Sequence, residues 1–134
     1  MVGMKVKLKP IIGGHVSAAG GLVNAIANAA AIGADAIQIF GASPQSWRAK
    51  HPDVAQVAAY REAYTVSDLR GCYLHAAYLV NLASANTDFY MNSVQSLVDH
   101  LKIAEAIGAD GLIFHLGSSK GWDRDAAIEQ EIEG

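Results

Sequence analysis

Apolar runs and glycine-containing breaks alternate along this chain, and one such unit occurs twice. "AIGADAIQIF" at 31–40 returns as "AIGADGLIFH" at 106–115. In each copy an apolar helical stretch meets a glycine, Gly33 or Gly108, suited to the left-handed cap that ends a helix. An aspartate, Asp35 or Asp110, suits the turn that follows. Each copy then closes on a short run with little alternation, "AIQIF" or "GLIFH". Unalternated apolar runs are expected of parallel strands covered on both faces.

The rest of the pattern fits the same scheme. "PIIGGHV" reads as the first strand, and the alanine-rich "AGGLVNAIANAAAIG" as the helix after it, with Ser17 placed to cap it. "PDVAQVAAYREAYTVSDL" spaces Val54, Val57, Ala58 and Tyr64 as a helix would, and leads to a strand at "GCYLH". "DFYMNSVQSLVDHLKIAEAIG" is the third helix, and "DRDAAIEQEIEG" begins a fourth with Asp123 as its cap. The predicted order is four βα units, with parallel strands over 11–16, 36–40, 71–75 and 111–115. Strands alternating with helices make the class α/β with a parallel sheet. Repeated units without a GxGxxG or a P-loop favour a TIM barrel over a dinucleotide fold. A (β/α)8 barrel needs roughly 250 residues. With 134 residues, this chain reads as one domain, a partial barrel of four units with helices outside.

Composition narrows the class further. Hydrophobic residues make up 51% and charged residues 17%, enough for a core and unlike a disordered chain. No apolar run approaches the length of a membrane span. Lys5, Lys7 and Lys9 precede no apolar segment of the signal-peptide kind. Cys72 is the only cysteine, so no internal disulfide and no CxxC zinc site is available, and a cytoplasmic setting is expected. A net charge of -3 argues against bulk attraction to nucleic acid but leaves room for a local or metal-assisted site.

Candidate chemistry gathers at the ends of the strands, where barrels place functional groups. His15 follows "PIIGG", the loop 43–48 follows "AIQIF", His75 ends "GCYLH" and His115 ends "GLIFH". Neutral imidazole is the commonest metal ligand, and neighbouring strands can aim two at one ion. A single histidine at a strand end is more often a hydrogen-bonded structural group; three on one rim shift the balance toward a site. His51 and His100 read as structural or solvent-facing. "SAAGG" is either a phosphate cradle or a cap followed by close helix packing. Trp47 is open to a role as an anchor of its loop, and Tyr78 and Leu79 to a role as covers of the barrel mouth.

Four stretches in order and spacing, "GGHVSAAGGL", "FGASPQSWRA", "LHAAYLVNLA" and "FHLGSS", resemble endonuclease IV. This is the zinc-dependent apurinic/apyrimidinic endonuclease family of base excision repair. The resemblance runs from about Ile11 to Ile128. It implies a TIM barrel with three zinc ions at its rim, acting on double-stranded DNA. The reaction it implies is hydrolysis of the phosphodiester 5′ to an abasic site. By resemblance, His75 and His115 are two ligands of one zinc, whose third protein ligand in the family is a glutamate at the end of the fifth strand. Tyr78 and Leu79 match the loop that wedges into the DNA. His15 and Ser17, with its glycines, fall on the first DNA-contacting loop, and Gln45, Trp47 and Arg48 on the second. Where some members carry an arginine that enters the base stack, Gln45 keeps hydrogen bonding but brings no charge.

The resemblance makes the chain the N-terminal half of such a barrel, holding ligands for one ion and by itself inactive. Two other readings stay open. One is a sugar isomerase or epimerase on a related barrel, which also places metal ligands on this rim. The other is a non-catalytic half-barrel that self-associates, since four strands of a closed barrel leave two open edges.

Overall fold

The computed structural model describes residues 9–134; Lys5 and Lys7 lie outside them. Four strands, β1 (Gly13–His15), β2 (Ala36–Phe40), β3 (Cys72–His75) and β4 (Gly111–Ile113), alternate with four helices. These are α1 (Val23–Ile32), α2 (Val54–Thr65), α3 (Thr87–Ile107) and α4 (Arg124–Glu133). The strands lie side by side in the order β1-β2-β3-β4, every pair parallel. This is the α/β arrangement read from the repeat.

The repeat itself has a mechanical explanation. Gly33 and Gly108 close α1 and α3 at φ 66° and 74°, a conformation costly for any side chain with a β-carbon. The aspartate two residues on does more than favour a turn. Asp110 accepts the Cys72 N–H at 2.7 Å, and Asp35 accepts the Ile12 N–H at 3.1 Å. Each carboxylate ties the start of its own strand to the backbone at the start of the adjacent strand. Asp35 is correspondingly held below the usual carboxylate range, by the Ile12 N–H first and by Lys9 second.

Other helix ends follow their sequence signals. Asp53 and Gln56 form a reciprocal capping box on α2, Asn86 caps α3 through the Phe89 N–H, and Asp123 caps α4 through the Ala126 N–H. At the C-terminus of α3, Arg61 reaches across from α2 and donates to the carbonyls of Glu105 and Ala106 at 3.1 and 2.8 Å. A guanidinium there satisfies two end carbonyls and complements the helix dipole. Ser17 does not cap α1. The helix starts beyond it, after Leu22, and the Ser17 hydroxyl accepts the Ala19 N–H in a local turn instead.

The core lies between the sheet and the helices. Ile37, Ile39, Cys72 and Leu74 are buried there, against Ala25 and Ala29 of α1, Tyr60 of α2 and Ile103, Ala104 and Ile107 of α3. The alanines of α1 let that helix approach closely. The inward stripe of α2 is Val57, Tyr60 and Tyr64, whereas Val54 and Ala58 face solvent.

The expectation that both sheet faces are covered is not met. Register partners share a face, so Gln38 sits beside His15 and Tyr73, and Phe40 beside His75, which in turn neighbours Ile113. Tyr73 and Ile113 on this second face are 41% and 40% exposed. Helices cover only the outside of such a sheet. The inside of a barrel is covered by side chains from the opposite strands, and four strands do not supply them.

Candidate metal and nucleic-acid site

Three histidines converge at the C-terminal end of the sheet. The rings of His75 and His115 lie 5.3 Å apart between centroids, and those of His15 and His75 6.2 Å apart. Each is delivered by its strand: His15 and His75 are the last residues of β1 and β3, and His115 lies two residues beyond β4. Phe40, the last residue of β2, fills the space between, with its ring 4.6 Å from His15 and 5.3 Å from His75. Tyr78 closes the group, 5.5 Å from His75 and 6.4 Å from His115, and is itself 62% exposed.

The hydrogen bonds give the rings different capacities. His75 is buried, and its Nδ1 lies 2.7 Å from the Ala76 carbonyl. A carbonyl only accepts, so Nδ1 carries the proton and Nε2 keeps its lone pair for a ligand. At His15, the Gln38 amide nitrogen donates to Nδ1 at 2.7 Å. The proton then sits on Nε2, making that edge a donor suited to an anionic oxygen. Desolvation, aided by the nearby His75, pulls the His15 pKa below its ordinary value and favours this neutral form.

Spacing and chemistry fit half of a zinc site. Two imidazoles bound to a tetrahedral ion at about 2.0–2.1 Å have centroids roughly 5 Å apart. His75 and His115 match that separation. Among the described residues no group of three or more His, Cys, Asp or Glu side chains comes together as a metal cage. A pair of imidazoles supplies at most two of the four positions a tetrahedral ion requires.

The other residues singled out in the sequence divide between the rim and the scaffold. A cavity of about 660 Å³ opens between the β1–α1 and β2–α2 loops, with Ser17, Ser43, Lys50 and His51 on its walls beside His15. Leu79 borders a second cavity of about 680 Å³ on the far side of Tyr78, with Asn81, Lys120 and Trp122. Gln45 and Arg48 are exposed on the β2–α2 loop. Trp47 lies edge-to-face on Phe89 of α3 at 5.3 Å, fastening that loop to the helix and away from the histidines. The Tyr78 N–H donates to the Pro44 carbonyl at 3.0 Å, which joins the second loop to the third. His51 is exposed and 3.8 Å from Asp99, while His100 is fully buried in α3 with Nδ1 on the Ser96 carbonyl.

Two contributors escaped the reading of the sequence. Gln38 orients His15, and Asn81 joins the loops that carry His75 and His115. The signal for Gln38 was a single amide inside the apolar run "AIQIF"; a polar residue at an inward position needs a partner. "YLVNLA" marks Asn81 less clearly, since asparagine in a loop usually serves only its own turn.

The fold has counterparts among known proteins. A family model described as "Xylose isomerase-like TIM barrel" matches residues 26–134. The chain belongs to the xylose isomerase-like TIM barrel family. Within it, the chain is homologous to endonuclease IV. The "Probable endonuclease 4" of Nitratidesulfovibrio vulgaris (strain DP4) is 34% identical over 119 residues, which are 89% of this chain and 42% of that protein. The "Endonuclease 4" of Thermus thermophilus is 39% identical over 113 residues, 83% of this chain and 42% of that protein. A crystal structure of endonuclease IV from a second strain of Thermus thermophilus superposes with a TM-score of 0.78 at 35% identity, covering 92% of this chain and 46% of that one. The crystal structure of SacUVDE, at 14% identity and a TM-score of 0.64, shares the fold. This member of the xylose isomerase-like barrels thus spans less than half the length of the curated relatives it matches.

Proposed function

We propose that this chain supplies part of a zinc-dependent apurinic/apyrimidinic endonuclease, a hydrolase that cleaves DNA 5′ to abasic sites. One observation carries the proposal: His75 and His115 lie 5.3 Å apart on the rim, beside an exposed Tyr78, in a fold related to endonuclease IV. His75 and His115 would hold the ion through ring nitrogens, and the Ala76 carbonyl fixes the tautomer of His75. A zinc bound here supplies Lewis acidity toward a phosphodiester oxygen and brings the pKa of water toward neutrality. His15 offers its Nε2–H to a phosphate oxygen, with Gln38 holding the ring. Ser17, Gln45 and Arg48 present polar groups along the same rim, and Trp47 holds their loop to α3. By their match to the family's wedge loop, Tyr78 and Leu79 would open the duplex at the lesion. An abasic nucleotide lacks base pairing and stacking, so its extrusion needs less energy than that of a normal one.

The remaining metal ligands come from the part of the barrel that the relatives have in addition. The isolated chain is accordingly inactive. A sugar isomerase or epimerase would use the same histidines, but a small sugar needs no exposed Tyr78 wedge beside them. The test joins this chain to the remaining barrel units of an endonuclease IV relative and assays both substrates. Chelator-sensitive incision of a duplex with one abasic site, at least about a hundredfold weaker after His75→Ala or His115→Ala, is the expected result. Isomerisation of a free ketose without DNA incision would overturn it.

A further inference from the structure

The backbone of β4 ends at Ile113, whose carbonyl accepts the Ala76 N–H at 2.9 Å. His115 lies beyond the sheet, on a segment that needs another support. Residues 114–118 are all exposed, so packing does not provide it. The support comes from two consecutive residues of the β3–α3 loop. The Leu82 N–H donates to the Leu116 carbonyl at 3.2 Å. Asn81 does more. Its Oδ1 accepts the Ser118 N–H at 2.9 Å and the Ala83 N–H at 3.1 Å, and its Nδ2 donates to the Ser118 carbonyl at 3.1 Å. The side chain thus pairs with both backbone groups of one residue across the gap between two loops.

Both partners are built for this contact. Gly117 sits at φ 122°, and a β-carbon there would overlap the Asn81 side-chain oxygen. Glycine is needed at that position for its conformation and for the close approach. On the other side the Asn81 N–H donates to the Ser93 hydroxyl at 2.9 Å, which donates in turn to the Phe89 carbonyl at 2.7 Å. Asn81 is therefore anchored on α3 and reaches out to the loop after His115. Docking of α4 uses carbonyls of the same loop but not the Asn81 side chain: Trp122 donates to the Ala83 carbonyl at 2.6 Å, and Gln130 to those of Leu82 and Ser84 at 2.6 and 2.9 Å.

We propose that Asn81 is a positioning residue that locks the β4–α4 loop to the β3–α3 loop and so holds His115 at ligand-sharing distance from His75. The inference rests on the reading of these two histidines as a metal pair. Its test reads the geometry without metal first, so the two ideas fail separately.

The experiment uses the 134-residue chain with Asn81→Ala, Asn81→Asp and, as a control on α4 docking alone, Gln130→Ala. Nuclear Overhauser contacts between the His75 and His115 ring protons and amide exchange at Ser118 are measured without metal. Cobalt(II) is then titrated while broadening of both ring signals is followed. In Asn81→Ala the ring contact is lost, Ser118 exchange accelerates by about tenfold or more, and joint broadening needs at least about tenfold more cobalt. Asn81→Asp keeps both backbone N–H acceptances but turns a carboxylate oxygen toward the Ser118 carbonyl, so its ring contact and cobalt response are expected between those of the parent and of Asn81→Ala. Gln130→Ala keeps the ring contact and the cobalt response. Should Asn81→Ala fail to fold, Gly117→Ala displaces the same loop and is expected to lose the same ring contact. An unchanged ring contact in Asn81→Ala or Gly117→Ala overturns the proposal, as does its equal loss in Gln130→Ala. If the parent chain shows the ring contact but no joint broadening by cobalt, the metal reading falls while the ring contact still decides the role of Asn81.

Discussion

At the scale of single residues, the two histidines at the centre of the rim differ in what fixes them. His75 is held by its strand and by the Ala76 carbonyl, whereas His115 hangs from a loop. With two of four tetrahedral positions filled, zinc should bind the isolated chain weakly and at one site. Competition against a chromophoric chelator should show that affinity falling by roughly tenfold or more in either His75→Ala or His115→Ala. Affinity unchanged in both variants would remove these residues from the metal site. Cys72 illustrates the opposite kind of residue. Its thiol receives the Tyr60 hydroxyl at 3.0 Å, and burial pushes its pKa up, with Asp110 adding and the Tyr60 bond opposing. Burial raises Tyr60 and Tyr64 as well. Groups whose folded pKa is raised bind protons more tightly in the folded state. Their stabilisation is complete below the unfolded values, near 9.0 for the thiol and 10.0 for the phenols, and is lost as pH rises toward the folded ones. Urea midpoints should therefore fall as pH climbs above about 9, and less steeply in Cys72→Ala. A midpoint that rises over that range would contradict the buried placement. Three rim histidines were legible because each ends an apolar run. Gln38 and Asn81 were not, because their meaning depends on partners 23 and 37 residues away.

At the scale of elements, the doubled "AIGAD" unit carried most of the legible information. Glycine and aspartate there perform tasks set by local geometry, so the helix ends and strand starts fall where the pattern puts them. Asp110 and Asp35 do similar jobs in different surroundings. Asp110 serves the N–H of buried Cys72 in an inner strand, whereas Asp35 serves Ile12 near the open edge. Asp110→Ala should cost about 1–3 kcal/mol, since it orphans a buried donor. Asp35→Ala should cost less, because solvent can replace its bond. Chemical denaturation of both variants measures the difference, and an equal or reversed order would refute the argument. Where the pattern misled, a longer-range choice prevailed. Ser17 has the right chemistry for a cap, but a turn over 18–21 intervenes before α1 begins. Val54 keeps helical spacing with Val57, yet it lies in the first turn of α2 and is exposed, outside the cluster that Val57, Tyr60 and Tyr64 join. Spacing alone does not say how far a helix overlaps its neighbour.

At the scale of the whole molecule, what the sequence could not show was which sheet face has a partner. Apolar strands look alike whether helices or opposite strands cover them. Among the described residues the helices cover one face and leave Tyr73 and Ile113 uncovered on the other, between edges at β1 and β4 that pair with no further strand. Such a surface favours association. A second copy can satisfy it by symmetry. A two-fold axis along the strands keeps all eight strands parallel and sets β4 of each copy beside β1 of the other. It also turns the two inner faces toward a common interior, as in a closed eight-stranded barrel. Charge introduced at Tyr73 would lie inside that interior, where an unpaired cation is strongly disfavoured. Light scattering of the 134-residue chain should therefore report a dimer or a larger assembly. Tyr73→Lys should weaken association by at least about tenfold, while α-helical circular dichroism stays intact. Addition of the complementary barrel units from an endonuclease IV relative should compete with it, because both occupants use the same edges. A stable monomer that binds no hydrophobic dye would show that the uncovered face has relaxed to a closed form of its own, and the half-barrel account of this surface would fall with it.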